Sequence, residues 1–463
     1  MTRTPTYPRT LTRTDGATLS VVYIAVLVLV PSRLVLAGIP LDIRPSMLLG
    51  FGLGMCWLCA QMVDNLGMAK GRSGVRTAIF LFASSQIATY GYVTLRHMPY
   101  EELKSADLSF VTIVSLMAAG LLIIDGVRTL DRLDKVLKFV VIACTVMAVI
   151  GMTQFFTGFD LTKYMAMVPG LRSVGTGEAV LARAAFRRPG GTAGHPIEFG
   201  VVCGLAVPLA AHYAFRASKR KQPSRRWWFC VLMLAMGAVV SLSRSAILGL
   251  LVAGIILLPT WPAKQQLRTI IAALGFLVVL RAFVPGLVGT LLSLFRNISN
   301  DPSIQGRTDD YASTEATIEQ NLWLGRGFGT YLPTRYGPID NQYLGSLVEN
   351  GVVGMLAFLF LFLAGIYAAA AARRMSTDPH VRDLCQSLLA CIAMLGVSSA
   401  TYDTFAFKIA SGLMFVLIGC AGALLRMQKA AAATMVAPPV FPSAPVPHTT
   451  TSPAPVVREG TSS

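Results

Sequence analysis

Charge is scarce in this chain. Only 14% of its 463 residues are Asp, Glu, Lys or Arg, where a soluble domain carries roughly a quarter. Acid is scarcer still: 23 Asp and Glu stand against 40 Lys and Arg, giving a formal net charge of +17. The five histidines and eight cysteines form no helical His pair and no repeated Cys pair, so no metal and no cofactor are expected. One close cysteine pair, Cys56 and Cys59 in "CWLC", lies in an apolar run without the flanks of a redox motif. It reads as two small buried thiols. The stretch "GRGFGT" at 325–330 has neither the preceding strand nor the following Lys of a phosphate loop, and a nucleotide site is excluded.

Apolar sequence fills the space that charge leaves. The chain is 54% hydrophobic with a mean hydropathy of +0.60. About twelve runs approach the ~20 residues that cross a bilayer, which makes this an all-α integral membrane protein. Their centres lie in 19–37, 44–63, 75–95, 108–124, 136–156, 199–215, 227–242, 246–259, 267–285, 342–371, 384–400 and 405–425. The eighth is short. The tenth is too long for one untilted crossing, so either its first turns stand outside the hydrocarbon or Asn350-Gly351 breaks it. Residues 1–18 form an N-terminal segment and 19–429 the membrane domain. The Pro, Ala and Thr-rich residues 430–463 are expected to be a disordered tail.

The basic residues fall in every second loop: "KGRSGVR" at 70–76, "DGVRTLDRLDKVLK" at 125–138, "FRASKRKQPSRRWW" at 215–228 and "ARRMSTDPHVRD" at 372–383. The alternate loops, such as "AGIPLDI" and "TYDTFAF", are short and nearly uncharged. By the positive-inside rule both termini face the cytoplasm. The first run lacks a small-residue cleavage site and reads as a retained span. Most of the positive charge is therefore topology, and no nucleic-acid partner is needed to explain it.

Two long loops, about 157–198 and 286–340, fall on the external side and are rich in arginine. Guanidinium suits bidentate recognition of phosphate and stays charged at any working pH. For Arg172, Arg183, Arg296 and Arg335, pairing with head groups or with acids such as Asp309, Asp310, Glu315 and Glu319 suffices. Arg187, Arg188, Arg244 and Arg307 point instead to binding of an anionic, lipid-borne substrate. Of these, Arg188, Arg244 and Arg307 abut Gly, Pro or Ser at a loop-to-helix junction. Arg244, in "SLSRSA", stands between two apolar runs with almost no loop, where an ionisable group is costly unless paired or functional.

The segment "PIDNQYLGSLVENGVVG" at 338–354 opens the tenth run with unusual polarity. Asp340 fits two roles there, helix cap and proton acceptor. Asn341 and Gln342 suit either sugar hydroxyls or the start of the helix, and Glu349 lies about 13 Å further along. Glu349 would stand near the interface if the helix is broken or protrudes. His195, beside Pro196, is a weaker alternative acceptor, and Glu198 is discounted similarly. The stretch "EATIEQNLWLGRG" reads as a short amphipathic helix with Trp323 and Leu324 at the membrane surface.

Together, "RRPGGTAGHPIEFG", "SLSRSA", "GRTDDYASTEATIEQNLWLGRGFGTYL" and "DNQYLGSLVENGVVG", across about residues 185–365, resemble the O-antigen ligase and polymerase superfamily of bacterial envelope glycan assembly. The resemblance implies a GT-C-like helical bundle. It implies metal-independent glycosyl transfer, at the external face of the cytoplasmic membrane, from a polyprenyl-diphosphate-linked glycan. On that pattern Arg188, Arg244 and Arg307 hold the diphosphate. Asp340-Asn341 takes the place of the His-Asn-type pair of the ligases, with Gly351 and Gly354 following. Aspartate in place of histidine favours a polymerase of repeat units over a ligase onto lipid A-core. Expected partners are the lipid-linked glycan, membrane lipid and other polysaccharide-assembly proteins. A transporter or flippase of lipid-linked glycans is the alternative; it would show internal repeats and ionisable groups near the midplane.

Overall fold

The structure is a computed structural model that describes residues 15–63, 71–174, 180–183, 186–296 and 302–436. Its helices are α1 (Gly16–Leu29), α2 (Pro45–Met62), α3 (Gly74–Thr94), α4 (Tyr100–Gly126), α5 (Leu130–Thr157), α6 (Thr162–Met165), α7 (Pro196–Lys219) and α8 (Arg225–Val240). They continue with α9 (Arg244–Leu257), α10 (Ala263–Phe283), α11 (Leu287–Arg296), α12 (Pro302–Gln320), α13 (Pro333–Tyr336), α14 (Gln342–Met375), α15 (Pro379–Ser398) and α16 (Lys408–Val436). All twelve apolar runs read from the sequence fall on helices. Among the described residues, 8 helices are long and apolar enough to cross a membrane: α2, α4, α5, α7, α10, α14, α15 and α16. The eighth run, α9, is short as expected and ends in a 3-10 turn at Thr260.

Local chemistry starts these helices where it should. Asp15, Ser73, Thr129, His195, Asn341 and Asp378 each accept a hydrogen bond from a backbone N–H in the first turn that follows, satisfying donors a helix start leaves open. Proline leads α2, α7 and α15, where its missing N–H is not needed. The bundle is built around α16, whose most apolar stretch is 94% buried; that of α10 is only 6% buried, so α10 stands at the rim. A β-carbon at Gly419 would lie 2.9 Å from the Gly120 carbonyl. Two glycines thus let α16 and α4 touch backbone to backbone.

Two sequence expectations are corrected. Cys56 and Cys59 are exposed on α2, while the other six cysteines are buried; "CWLC" lies on the outward face of its helix rather than in the core. The helix α16 continues to Val436, seven residues past the expected end of the membrane domain at 429, because the Ala-rich stretch after Lys429 is a good helix former. The rest of the expected tail lies outside the described residues.

The loops segregate to two ends. At one end Asp125 accepts bonds from Trp57 Nε1 (2.9 Å), Gln61 Nε2 (3.1 Å) and Arg76 (2.9 Å). Asp15 pairs with Arg132, Asp134 with Lys138 and Arg216, and Asp383 with Lys219. These are the basic loops that the sequence assigns to a common side, and they pack on a common side. The opposite end gathers the long loops. There strand β1 (Leu34–Leu36) pairs antiparallel with β2 (Leu171–Ser173), and β3 (Val180–Arg183) forms a hairpin with β4 (Phe186–Pro189).

The long tenth run is broken. Gly351 sits at φ 64°, ψ −169° inside α14, a left-handed conformation natural only to glycine. The backbone groups freed by the break find partners in the loop before it. Arg326 N–H donates to the Val348 carbonyl (2.9 Å) and Gly327 N–H to the Glu349 carbonyl (2.8 Å). In return Val352 N–H donates to the Leu322 carbonyl (2.9 Å) and Val353 N–H to that of Trp323 (3.3 Å). The "GRGFGT" loop is therefore a clasp on a broken helix. The helix before it, α12, is longer than the expected amphipathic segment and ends at Gln320, leaving Trp323 and Leu324 in the clasp rather than on a helix.

Candidate active site

The end that carries the long loops also carries the arginines and Asp340. The β3–β4 register places Leu181 opposite Arg188 and Ala182 opposite Arg187. Successive strand residues face opposite ways, so the two arginines part. Arg188 is buried and its Nε donates to the Ser241 carbonyl at 2.9 Å. Arg187 is exposed and its guanidinium lies across Gly158, the left-handed cap that ends α5. Arg187 is therefore not part of the Arg188 constellation. Leu242, at φ 49°, makes the α8–α9 turn sharp enough that Ser241 and Arg244 share one corner. Arg188 docks on that corner, and Arg244 is the first residue of α9. Arg307 lies on α12, and its side chain is outside the described ones.

The "TYDTFAF" loop between α15 and α16, read from the sequence as short and nearly uncharged, ties this corner to the start of α14. On one side Thr401 donates from Oγ1 to Ser245 Oγ (2.7 Å). On the other, Phe405 N–H donates to Gln342 Oε1 (2.7 Å), and Gln342 N–H donates to the Ser399 carbonyl (2.8 Å). Arg188, the Arg244 corner and the Asp340 segment thus belong to one hydrogen-bonded assembly.

Within it, Asn341 and not Asp340 is the cap of α14. The Asn341 side chain accepts from Tyr343 N–H (3.0 Å) and Leu344 N–H (3.3 Å), and its amide donates to Tyr311 Oη (3.2 Å). Asp340 stands one residue earlier, half-buried, and is released from the capping role that the sequence left open. Gln342 is buried, with its amide nitrogen on Ser346 Oγ (3.1 Å) and its oxygen on the Phe405 N–H. It holds two elements together. Glu349 accepts from Tyr331 N–H at 3.2 Å just before the break, which anchors the loop that leads to Asp340.

His195 caps α7, accepting through Nδ1 from Ile197 N–H (3.2 Å) and stacking on Phe407. Burial, and then the charge of Arg188, push its imidazole down to about 4. A ring that is neutral and accepts at Nδ1 carries its proton on Nε2, so it has no free lone pair for an acceptor hydroxyl. Glu198 takes the N–H groups of Ile409 (2.7 Å) and Ala410 (3.3 Å) at the start of α16 and that of Gly194 (3.1 Å). It too is structural.

The arginines read as merely structural do pair, although with other acids than those adjacent in sequence. Arg172 meets Asp42 (2.6 Å), and Arg335 meets Glu102 (2.9 Å), which also takes Arg326 (2.6 Å). Arg183 and Arg296 have side chains outside the described ones. Sequence reasoning missed two further cations on this face. Arg44 donates from Nε to the Ser32 carbonyl (2.7 Å), and Lys408 to that of Phe405 (2.6 Å). Each is a single charge at the first turn of an apolar run, and that position was the available signal. Asp403, in the same loop as Phe405, has its carboxyl pushed up by burial, against the pull of the Ala406 N–H and Lys408.

Residues 228–359 match the family model described as O-antigen ligase. That match bears out the resemblance to the O-antigen ligase and polymerase superfamily. It spans the Arg244 corner, α12, the clasp, Asp340 and the break in α14, while Arg188 and His195 lie before it. No curated protein matches the chain. Among solved structures, a chain from "Structural coordination of polymerization and crosslinking by a peptidoglycan synthase complex" aligns at 14% identity with a TM-score of 0.38. That alignment covers 77% of this chain and 97% of the other.

Proposed function

We propose that the chain is a membrane glycosyltransferase that extends a polyprenyl-diphosphate-linked oligosaccharide, as an exopolysaccharide or O-antigen-type polymerase does. It crosses the bacterial cytoplasmic membrane about twelve times as a GT-C-like bundle, with both termini cytoplasmic and the Asp340 end external. Arg188, Arg244 and Arg307 hold the diphosphate of the donor. Asp340 accepts the proton of the acceptor hydroxyl as its oxygen bonds to the anomeric carbon. The bond from that carbon to the diphosphate breaks, and the departing negative charge stays with the arginines. Fixed positive charge where an anion develops is the main electrostatic need of such a step, and no metal is required by it.

The observation that carries this reading is the docking of Arg188 on the Ser241–Arg244 corner, hydrogen-bonded through the α15–α16 loop to the segment that bears Asp340. Asn341 supports it further, because a separate cap leaves the Asp340 carboxylate available as base. With His195 committed through Nδ1, Asp340 is the better-placed acceptor. Of the residues considered for sugar contact, Asn341 adjoins Asp340, and Glu349 lies nine residues further along, inside α14.

The test is incubation of the purified chain in nanodiscs with a polyprenyl-diphosphate oligosaccharide and no added metal. Longer glycan on the lipid is expected. Transfer to a different acceptor would make it a ligase instead, and failure of any transfer would refute the reading.

A further inference from the structure

On the same end of the bundle, a cleft of about 540 Å³ opens between the start of α4, the loop before α2, and α13. That volume is in the range of small-ligand sites. Its polar lining comes from Asp42, Glu101, Lys104, Ser105, Thr334 and Arg335, with Leu41 and Leu332 between them. Acids and bases are mixed there, and two of the charges are already paired, Asp42 with Arg172 and Arg335 with Glu102. Such a surface does not select an anion. It offers donors and acceptors to hydroxyl groups and apolar side chains to C–H faces, which is what a sugar presents.

The cleft is rigid and tied to Asp340. Its wall is Glu102, fully buried, which accepts from Arg326 (2.6 Å), Arg335 (2.9 Å) and Tyr336 Oη (2.8 Å). Arg326 in turn clasps the break in α14 through its backbone N–H. Arg335 and Asp340 are five residues apart in sequence, so their α-carbons are separated by at most about 18 Å. The cleft is therefore within reach of a short oligosaccharide whose end lies at Asp340.

Position decides which oligosaccharide. Around the bundle α9 packs on α15, α15 on α14, α14 on α3 and α3 on α4. The start of α14 therefore stands between the Arg244 corner at α9 and the cleft at α4. Displacement at an anomeric carbon brings the incoming oxygen to the face opposite the leaving group. With the diphosphate on the Arg244 side, the acceptor approaches from the α4 side. We propose that the cleft between α4 and α13 binds the acceptor glycan and presents its terminal hydroxyl to Asp340. This rests on the glycosyltransferase reading above.

The experiment uses the full chain in nanodiscs with two substrates: the polyprenyl-diphosphate oligosaccharide as donor, and the same oligosaccharide freed from its carrier and labelled at its reducing end as acceptor. Thr334→Trp and Lys104→Trp fill the cleft at exposed positions, where the fold tolerates bulk. Each is expected to raise the KM for the labelled acceptor about ten-fold while the KM for donor stays within about two-fold, with an unchanged Tm. Acceptor KM unchanged in both variants, with transfer intact, overturns the proposal. A wild-type chain that transfers to no acceptor overturns the glycosyltransferase reading itself, and this proposal with it.

Discussion

Both ends of the bundle contain ion pairs, and they differ in how the cations nearest the candidate site are held. At the Asp125 end, cations meet carboxylates: Arg76 with Asp125, Arg132 with Asp15, Arg216 and Lys138 with Asp134. At the Asp340 end Arg172, Arg326 and Arg335 meet acids as well, but Arg188, Arg44 and Lys408 also donate to the backbone carbonyls of Ser241, Ser32 and Phe405. A carbonyl fixes the geometry of a guanidinium without itself adding a full opposing charge. A carboxylate fixes the geometry and cancels the potential. The first arrangement suits an anion-binding site, the second a structural lock, and the same residue type serves both.

That contrast can be tested at five positions, and the largest effect should come from Asp340. Asp340→Asn leaves the Asn341 cap in place, so Tm should hold while glycan transfer falls at least about 100-fold, the lower range for loss of a general base. Full activity in this variant would remove Asp340 from the chemistry. Asp125→Asn should do the reverse. It leaves the half-buried Arg76 charge without its partner, a change that costs about 2 kcal/mol, read as a lower Tm, while kcat and the donor KM stay at wild-type values. If activity fell before stability did, the division of labour between the ends would be wrong.

Gly351→Ala tests the clasp that positions the Asp340 segment. A β-carbon there would run into the Trp323 carbonyl from a left-handed backbone, so about 2 kcal/mol of destabilisation is expected, together with lost activity. Arg244→Lys keeps the charge and loses the planar fork. The donor KM should rise about ten-fold, equivalent to about 1.4 kcal/mol, with Tm unchanged.

Much of the fold was legible because membrane helices announce themselves through length and apolarity, and the alternation of basic loops correctly grouped the loops that share an end. The break in α14 was legible from a run too long for the bilayer with Asn350-Gly351 inside it. Arg188 and Arg244 were legible as charges that abut Pro or Ser at a loop-to-helix junction, Arg244 with almost no loop to solvate it. Contacts between distant segments were not. The cap on α14 fell to Asn341 because its side chain reaches two N–H groups, a choice between adjacent residues that composition does not make. The pairing of Glu102 with Arg326 and Arg335 links residues more than 200 positions apart. The α15–α16 loop looked featureless because its contribution is made largely by backbone groups and small hydroxyls, which carry no sequence signature.

The smallest predicted effect concerns His195, and it separates a structural histidine from a catalytic one. Its imidazole is held at about 4 in the folded chain against about 6.5 when unfolded. Between those values the unfolded chain binds a proton that the folded chain does not, so stability rises with pH across that window and is lost as pH falls from about 6.5 toward 4. His195→Asn retains an N-cap acceptor and removes the titration. The slope of Tm against pH between about 7 and 5 should therefore flatten in the variant, while glycan transfer at neutral pH stays within about three-fold of wild type. Transfer lost together with a pH limb near 6 would instead make the His195 ring the proton acceptor, since a histidine that only caps α7 has no reason to move the rate.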